Sequence, residues 1–270
     1  MIGVILAAGM AKRLRPLTDH CPKCLLTVGS RTLLQRTFDA MLDAGISEFV
    51  VVTGYRGEMI RDFLTAHYPD TLIHFIHNAD YEHNNNIFSL WMTRPYTDGH
   101  DFLLSDSDIL FDPQVIRAVL QTEGDALALN RHELGEEEIK VIVDDNNRVV
   151  EISKVCSIQQ AIGESVGLEK MTADYSTVLF RELEQMIERE GLIDVFYERA
   201  FERLIPQGKT FTIEIPPTIS PTSWTLPRTL RRLPDWCPKS CCKELLKGSF
   251  MKIFGEKFGR SRNYSYLCKR

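Results

Sequence analysis

The sequence predicts an α/β fold: a doubly wound, mostly parallel sheet with a small β-hairpin and a helical insertion. Three observations predict it. Strand-like apolar runs and helix-like segments take turns five times in the first half of the chain. The runs are continuously apolar, as in strands covered on both faces. The rhythm then changes once, at a cluster of turn-forming Asp and Asn residues.

Gly3-Val4-Ile5-Leu6-Ala7 is the first buried run, and it ends in the small-residue turn Ala8-Gly9-Met10-Ala11. Leu33, Leu34, Phe38, Met41 and Leu42 recur at helical spacing up to Gly45, which reads as a C-terminal cap. A strand over Phe49–Thr53, a helix over 57–67 and a strand over Leu72–Ile76 follow. A helix over Ile87–Met92, a strand at Phe102–Leu104, a helix over 114–121 and a strand at Ala126–Leu129 complete the alternation. Ile139–Val143 and Val149–Ile152 flank Asp144-Asp145-Asn146-Asn147, which predicts an antiparallel hairpin. Helices over 175–189 and 194–204 and a strand over Thr210–Ile215 end the patterned region.

Composition bounds the answer further. The 270 residues, 44% hydrophobic and 26% charged, suit one globular catalytic domain with a small attached lobe. No run of about 18 apolar residues suggests a membrane span, and Met1-Ile2-Gly3-Val4 does not open as a signal peptide, so a cytoplasmic location is expected. The net charge of −5 is unevenly divided: residues 1–215 carry 20 Lys and Arg against 34 Asp and Glu, residues 216–270 carry 12 against 3. The seven cysteines, an odd number, argue against a disulfide framework. Cys21-Pro22-Lys23-Cys24 has the spacing of a redox or zinc half-site, but no second ligand pair matches it. The basic tail shows no helical stripe and the acidic body repels phosphates, which argues against a nucleic-acid partner.

Open parallel sheets bind ligands at the carboxyl ends of their strands, which directs attention to the loop after the first strand. There Leu6, Ala7, Ala8, Gly9 and Met10 would let backbone N–H groups approach a triphosphate closely, while Arg13 and Lys23 supply positive charge. Neither a dinucleotide glycine pattern nor a Walker lysine motif is present. A plain strand-to-helix turn bearing surface bases would read the same way for any one of these residues. A second loop, Ser105-Asp106-Ser107-Asp108, sets two carboxylates just past a buried strand, where hard oxygen ligands could hold Mg²⁺. A solvated acidic turn is the alternative reading.

Leu-Ala-Ala-Gly-x-x-x-Arg-Leu-x-Pro-Leu-Thr over Leu6–Thr18, followed by Pro22-Lys23-Cys24-Leu25, closely resembles the signature loop of the nucleotidyltransferases that activate sugar phosphates and phospho-alcohols, a branch of the glycosyltransferase-A-like fold. The resemblance spans residues 1–215. It implies that Ala7–Arg13 wrap the nucleotide, that Lys23 meets the α-phosphate, and that Asp108 is a Mg²⁺ ligand with Asp106 beside it. Asn84-Asn85-Asn86-Ile87-Phe88-Ser89 resembles the Asn-rich stretch of the phosphocholine-type cytidylyltransferase branch, which puts Asn85, Asn86 and Ser89 on the nucleotide side and favours CTP. The same asparagines would serve equally as helix N-caps. Lys154 resembles the lysine that meets the acceptor phosphate, and Glu164 a residue facing the acceptor, where Tyr197 or Trp91 could offer a ring to a cationic head group. The implied reaction moves an NMP, CMP from CTP by preference, onto a small phosphorylated acceptor such as phosphocholine or a phosphonate. Sugar-1-phosphate activation with UTP or dTTP and a nucleotide-binding protein without turnover are the competing readings.

The resemblance stops at residue 216. Relatives end on a turn reading roughly Asp-Thr-Pro-Glu-Asp whose first Asp is a second metal ligand, whereas no acidic residue lies between Glu214 and Asp235 here. A shifted reading frame would account for the change in charge, cysteine content and periodicity together. Ser223–Leu230 back-translated with permitted codons as TCA TGG ACA CTC CCG AGG ACT TTG, and read from the A before TGG, gives Met-Asp-Thr-Pro-Glu-Asp-Phe. Residues 216–270 are therefore expected to be a poorly specified tail, with catalysis impaired.

Overall fold

In the computed structural model, residues 1–214 and the backbone of Trp224 and Thr225 are described. The chain opens with β1 (Ile2–Ala7), the short hairpin strands β2 (Thr27–Val28) and β3 (Arg31–Thr32), α1 (Leu33–Asp43), β4 (Glu48–Thr53), α2 (Gly57–His67) and β5 (Leu72–His77). Then come α3 (Asn86–Met92), α4 (Arg94–Thr97), β6 (Phe102–Asp106), β7 (Ile109–Leu110), α5 (Gln114–Gln121) and β8 (Ala126–Asn130). The second half carries β9 (Lys140–Val143), β10 (Val149–Ser153), β11 (Gly163–Met171), α6 (Ala173–Glu184), α7 (Glu198–Leu204) and β12 (Thr212–Glu214).

Among the described residues nine strands form one sheet, ordered β10-β9-β11-β6-β1-β4-β5, with β8 joined to β11 and β12. Strands β6, β1, β4 and β5 are mutually parallel. Because β1 leads to β4 on one side and pairs with β6 on the other, the sheet reverses its winding between β1 and β6, and a crevice opens at their carboxyl ends. Continuous apolar runs produce this arrangement by burying both faces. Val4 and Leu6 join Phe102, Leu104, Leu179 and Phe201 on one side, while Ile5 and Ala7 join Phe38, Phe49, Leu103 and Ile116 on the other. Each such large side chain contributes about 1.5–3 kcal/mol when fully buried. Gly3 is required by this packing, since a Cβ there would lie 2.8 Å from the Phe49 ring.

Gly45 adopts a left-handed φ of 91° and its N–H donates to the Leu42 carbonyl, which terminates α1. The hairpin of β9 and β10 forms where the Asp/Asn turn predicts it. The strand β11, which carries Glu164, stands between the hairpin and α6, where the hydrophobic pattern marks no element. Its residues Gly163-Glu164-Ser165-Val166-Gly167 mix glycine with polar side chains, and it runs antiparallel to β6, β8 and β9. Boundaries shift elsewhere too: the helix expected over 175–189 is α6 plus one π turn at Gln185–Arg189, the helix expected from 194 begins at Glu198, and the strand expected over 210–215 starts at Thr212 and runs to Glu214, the last residue before the undescribed stretch. No helix among the described residues is long and apolar enough to cross a membrane. Apart from the backbone pair at 224–225, the expected tail lies outside the described residues.

Candidate active site

At the carboxyl ends of β1 and β6 lies a cavity of about 250 Å³. Leu6 and Asp106 are register partners, and the Ser107 N–H donates to the Leu6 carbonyl at 3.2 Å, so the loop after β1 and the acidic turn leave the sheet side by side. Leu6, Ala7, Ala8, Gly9 and Ala11 line one wall. Ala11 holds a left-handed φ of 48°, and a Cβ on Gly9 would meet nothing within 4 Å, which leaves the backbone here open to close approach. Met10 is flanked by lining residues without being one. From behind, the loop is held by Gly54 and Tyr55: the Tyr55 N–H donates to the Ala8 carbonyl at 3.0 Å, and a Cβ on Gly54 would stand 2.7 Å from that same oxygen.

On the opposite wall, Lys23 Nζ donates to Asp108 Oδ2. These residues come from two of the motifs singled out in the sequence, and both side chains are largely buried, 17% and 24% exposed. Asp106 also lines the cavity. Burial, together with the charges of Asp108 and Glu198, raises its carboxyl well above the usual carboxylate range, while Lys23 acts against this. Burial and the neighbouring Cys21 and Asp108 push the Cys24 thiol up to about 12, an environment opposed to a reactive thiolate.

The asparagine tract lines the cavity, but its side chains are also engaged in building it. Asn85 caps α3, its Oδ1 accepting the Asn86 N–H at 2.9 Å. Asn86 Oδ1 accepts the Tyr197 N–H at 2.9 Å, tying the asparagine tract to the start of α7. Asn78, which the sequence reading did not select, donates to Asn84 at 2.8 Å and to Ser89 Oγ at 3.2 Å. Asn78 and Tyr81 follow β5 at its carboxyl end, a position that could have drawn attention to them.

The remaining candidates stand outside the cavity lining. Arg13 is 83% exposed, with Nη1 3.7 Å from Glu137 Oε2, and Lys154 Nζ approaches the same oxygen at 4.0 Å. Pairs of this length with an exposed partner contribute little, so neither cation is held firmly by Glu137. Glu164 Oε2 is paired with His132 Nε2 at 2.6 Å. Tyr197 is fully buried, its ring packed 5.4 Å from that of Phe201 and its hydroxyl directed to Glu169 at 3.4 Å, so its ring offers no open face. Trp91 packs against Phe88. Two buried carboxylates absent from the sequence reading, Glu169 and Glu198, stand near Asp106 and each other; burial and these neighbours raise Glu169, and burial raises Glu198 to about 7.

Nucleotidyltransferases are among the known proteins to which this chain is similar. A choline-phosphate-type enzyme of known structure, CTP:phosphocholine cytidylyltransferase from Streptococcus pneumoniae, superposes with a TM-score of 0.66 at 19% identity, covering 91% of this chain and 99% of that one. CTP:phosphoglutamine cytidylyltransferase of Campylobacter jejuni is 22% identical over 210 residues, 72% of this chain and 81% of the relative. CMP-5'-(3-aminopropyl)phosphonate synthase of Streptomyces rubellomurinus is 33% identical over 129 residues, 47% of this chain; the match spans only 20% of that longer protein. The family described as the MobA-like NTP transferase domain matches residues 3–204, most of the sheet and both walls of the cavity. The chain therefore belongs to the MobA-like NTP transferase domain family.

Proposed function

We propose that this chain transfers CMP from CTP to a small phospho-alcohol or phosphonate and releases pyrophosphate. The observation that carries the reading is the meeting of Lys23 and Asp108 in a cavity walled by the small-residue loop. The preference for CTP is supported by the amide-rich wall of Asn78, Asn84 and Asn86 and by relatives whose names specify cytidylyl or CMP transfer.

In this scheme the acceptor's own phosphate oxygen bonds to the α-phosphorus as the bond to the bridging oxygen breaks, and pyrophosphate leaves with that electron pair. Lys23 turns from Asp108 to the α-phosphate oxygens, where its charge balances the negative charge developing there. Arg13 and Lys154 swing off Glu137, one toward the triphosphate and the other toward the acceptor phosphate. No protein nucleophile is needed, and the protein contributes positioning and charge.

Asp106 and Asp108 fit a share in a Mg²⁺ site: two hard oxygen donors on one turn, leaving the remaining positions to phosphate oxygens and water. When bound, the ion would neutralise charge on the triphosphate. Among the described residues no group of three or more His, Cys, Asp and Glu is placed to hold a metal, so the protein's share is small.

We further propose that turnover is impaired by loss of an acidic ligand in the tail. In the back-translated frame the missing Asp falls between Trp224 and Thr225, and the backbone of these two residues pairs with Leu110 and Ile109, directly after Asp108. Pyrophosphate release with each of the four NTPs against phosphocholine, 2-aminoethylphosphonate and glucose-1-phosphate, with Mg²⁺ or EDTA, tests the reading. The expected result is slow, Mg²⁺-dependent release confined to CTP with the phosphoalkyl acceptors. Release with UTP or dTTP and glucose-1-phosphate alone would favour sugar activation, and CTP binding without release from any pair a protein that does not turn over.

A further inference from the structure

Lys140 opens β9 between two other strands. On one flank its register partner is Ser153, the last residue of β10, and on the other it is Glu164 of β11. The side chain of Lys140 is long, charged and fully buried. An ammonium withdrawn from water needs all three of its N–H donors met. Lys140 Nζ donates to the carbonyls of Glu136 and Glu138, each at 3.4 Å, and to the carbonyl of Lys154. Three donors thus meet three peptide oxygens from two separate segments. One segment carries Glu137, and the other carries Lys154, whose Nζ stands 4.0 Å from Glu137 Oε2. The turn that Lys154 heads is open to water, Val155 being 87% exposed. Its ammonium rests 4.3 Å over the Phe196 ring, a contact that orients the tip of the side chain and leaves the peptide free to rotate. The bond from Lys140 acts on the Lys154 peptide itself, and a long side chain amplifies any rotation of the peptide that bears it.

We propose that Lys140 is a positioning residue for the acceptor phosphate: by tying the Lys154 peptide to the Glu136–Glu138 segment, it sets where the Lys154 ammonium stands. This rests on the transfer reading above, in which Lys154 meets that phosphate, and deepens it. Lys140 is buried with every donor spent, so it touches no ligand and acts through Lys154. Two consequences separate this role from general support of the fold. The residues lining the cavity assigned to the nucleotide fall within 6–108, so loss of Lys140 should weaken phosphate acceptors and spare the nucleotide. Its loss should also matter only while Lys154 is present, because residues that act in series do not add.

Titration calorimetry on the full chain tests both, in wild type, Lys140→Met, Lys154→Ala and the double variant. Cytidine 5'-(α,β-methylene)triphosphate is titrated with Mg²⁺, and then phosphocholine, 2-aminoethyl phosphate or n-propyl phosphate, which have the phosphate in common. Lys140→Met is expected to weaken the phosphate probes about tenfold and the nucleotide less than about twofold; in the Lys154→Ala background it should change phosphate binding by less than about twofold. Equal losses for nucleotide and phosphates, unchanged phosphate binding, or losses that multiply in the double variant would each overturn the proposal. Hydrogen exchange on the ligand-free chain supplies an independent measure: Lys140→Met should speed the amides of 154–157 while those of β1 and β4 keep their rates, and unchanged rates at 154–157 would overturn the proposal. If wild type binds none of the phosphate probes, the transfer reading fails, and the exchange result alone decides whether Lys140 holds the turn. If Lys140→Met does not fold, Lys140→Arg takes its place, since a planar guanidinium cannot meet the three carbonyls as an ammonium does, and the same outcomes decide.

Discussion

Lys23 and Asp108, 85 residues apart in sequence, form a largely buried ion pair at the junction of β1 and β6. Truncating one partner strands the other charge, so the pair is more than a surface contact. In the proposed reaction Lys23 also stabilises charge at the α-phosphate. Lys23→Met and Asp108→Asn are each expected to lower CTP-dependent pyrophosphate release about 100- to 1,000-fold, as loss of a single transition-state partner does. A steady-state comparison at saturating acceptor checks this.

Gly54→Ala tests the support behind the nucleotide wall. The added methyl would stand 2.7 Å from the Ala8 carbonyl oxygen and 2.8 Å from Tyr81 Cβ, so the loop or Tyr81 must move. Overpacking of this kind costs about 1–3 kcal/mol. The expected outcome is a lower melting temperature together with a raised KM for CTP; an unchanged KM would show that the loop does not depend on this contact.

Stability should fall as pH rises from about 4.5 to about 7 because of Glu198. Its ordinary value is 4.5 and burial raises it to about 7 in the folded chain, with Lys154 opposing and the raised Glu169 and Asp106 carboxyls facing it. Across that window the unfolded chain releases a proton that the folded chain keeps, so stability present below 4.5 is lost on the way to 7, by roughly 3 kcal/mol at most from this group. Glu198→Gln should therefore melt above wild type at pH 8 and close to it at pH 4.5. Thermal denaturation at the two pH values measures the difference, and a Glu198→Gln protein less stable than wild type at pH 8 would contradict it.

Much of this was legible in the sequence, for a physical reason. Strands buried on both faces must be apolar throughout, so β1, β4, β6 and β8 announce themselves, and loops at their carboxyl ends carry Lys23, Asp106 and Asp108. What pairs over long range was not legible. Strand β11 disguises itself because its Gly167 holds a φ of 76° close against Asp106, where a Cβ would lie 2.6 Å from Oδ2, and because Glu169 and Lys170 are buried charges on a strand. Glu169 and Glu198 gain meaning only when β11 and α7 meet. The dual use of Asn85 and Asn86 also needed coordinates: one motif both faces the cavity and anchors the chain around it.

The tail makes a separate prediction. The backbone of Trp224–Thr225 pairs with Leu110–Ile109, directly after Asp108, so under the proposed loss of an acidic ligand Thr225→Asp should tighten Mg²⁺ binding in the presence of CTP by about tenfold or more and raise turnover. Reading the gene settles the origin of the tail. Codons for Ser223–Leu230 that cannot yield Met-Asp-Thr-Pro-Glu-Asp-Phe in another frame would end the frameshift explanation.

In the proposed reaction one triphosphate is shared between Lys23 of the first loop and the carboxylates of the second. Calorimetric titration of CTP with Mg²⁺ into wild type, Lys23→Met and Asp108→Asn measures this without requiring turnover. Saturable binding by wild type, weakened about tenfold or more in each variant, is the predicted result. CTP affinity that is the same in all three proteins would contradict it.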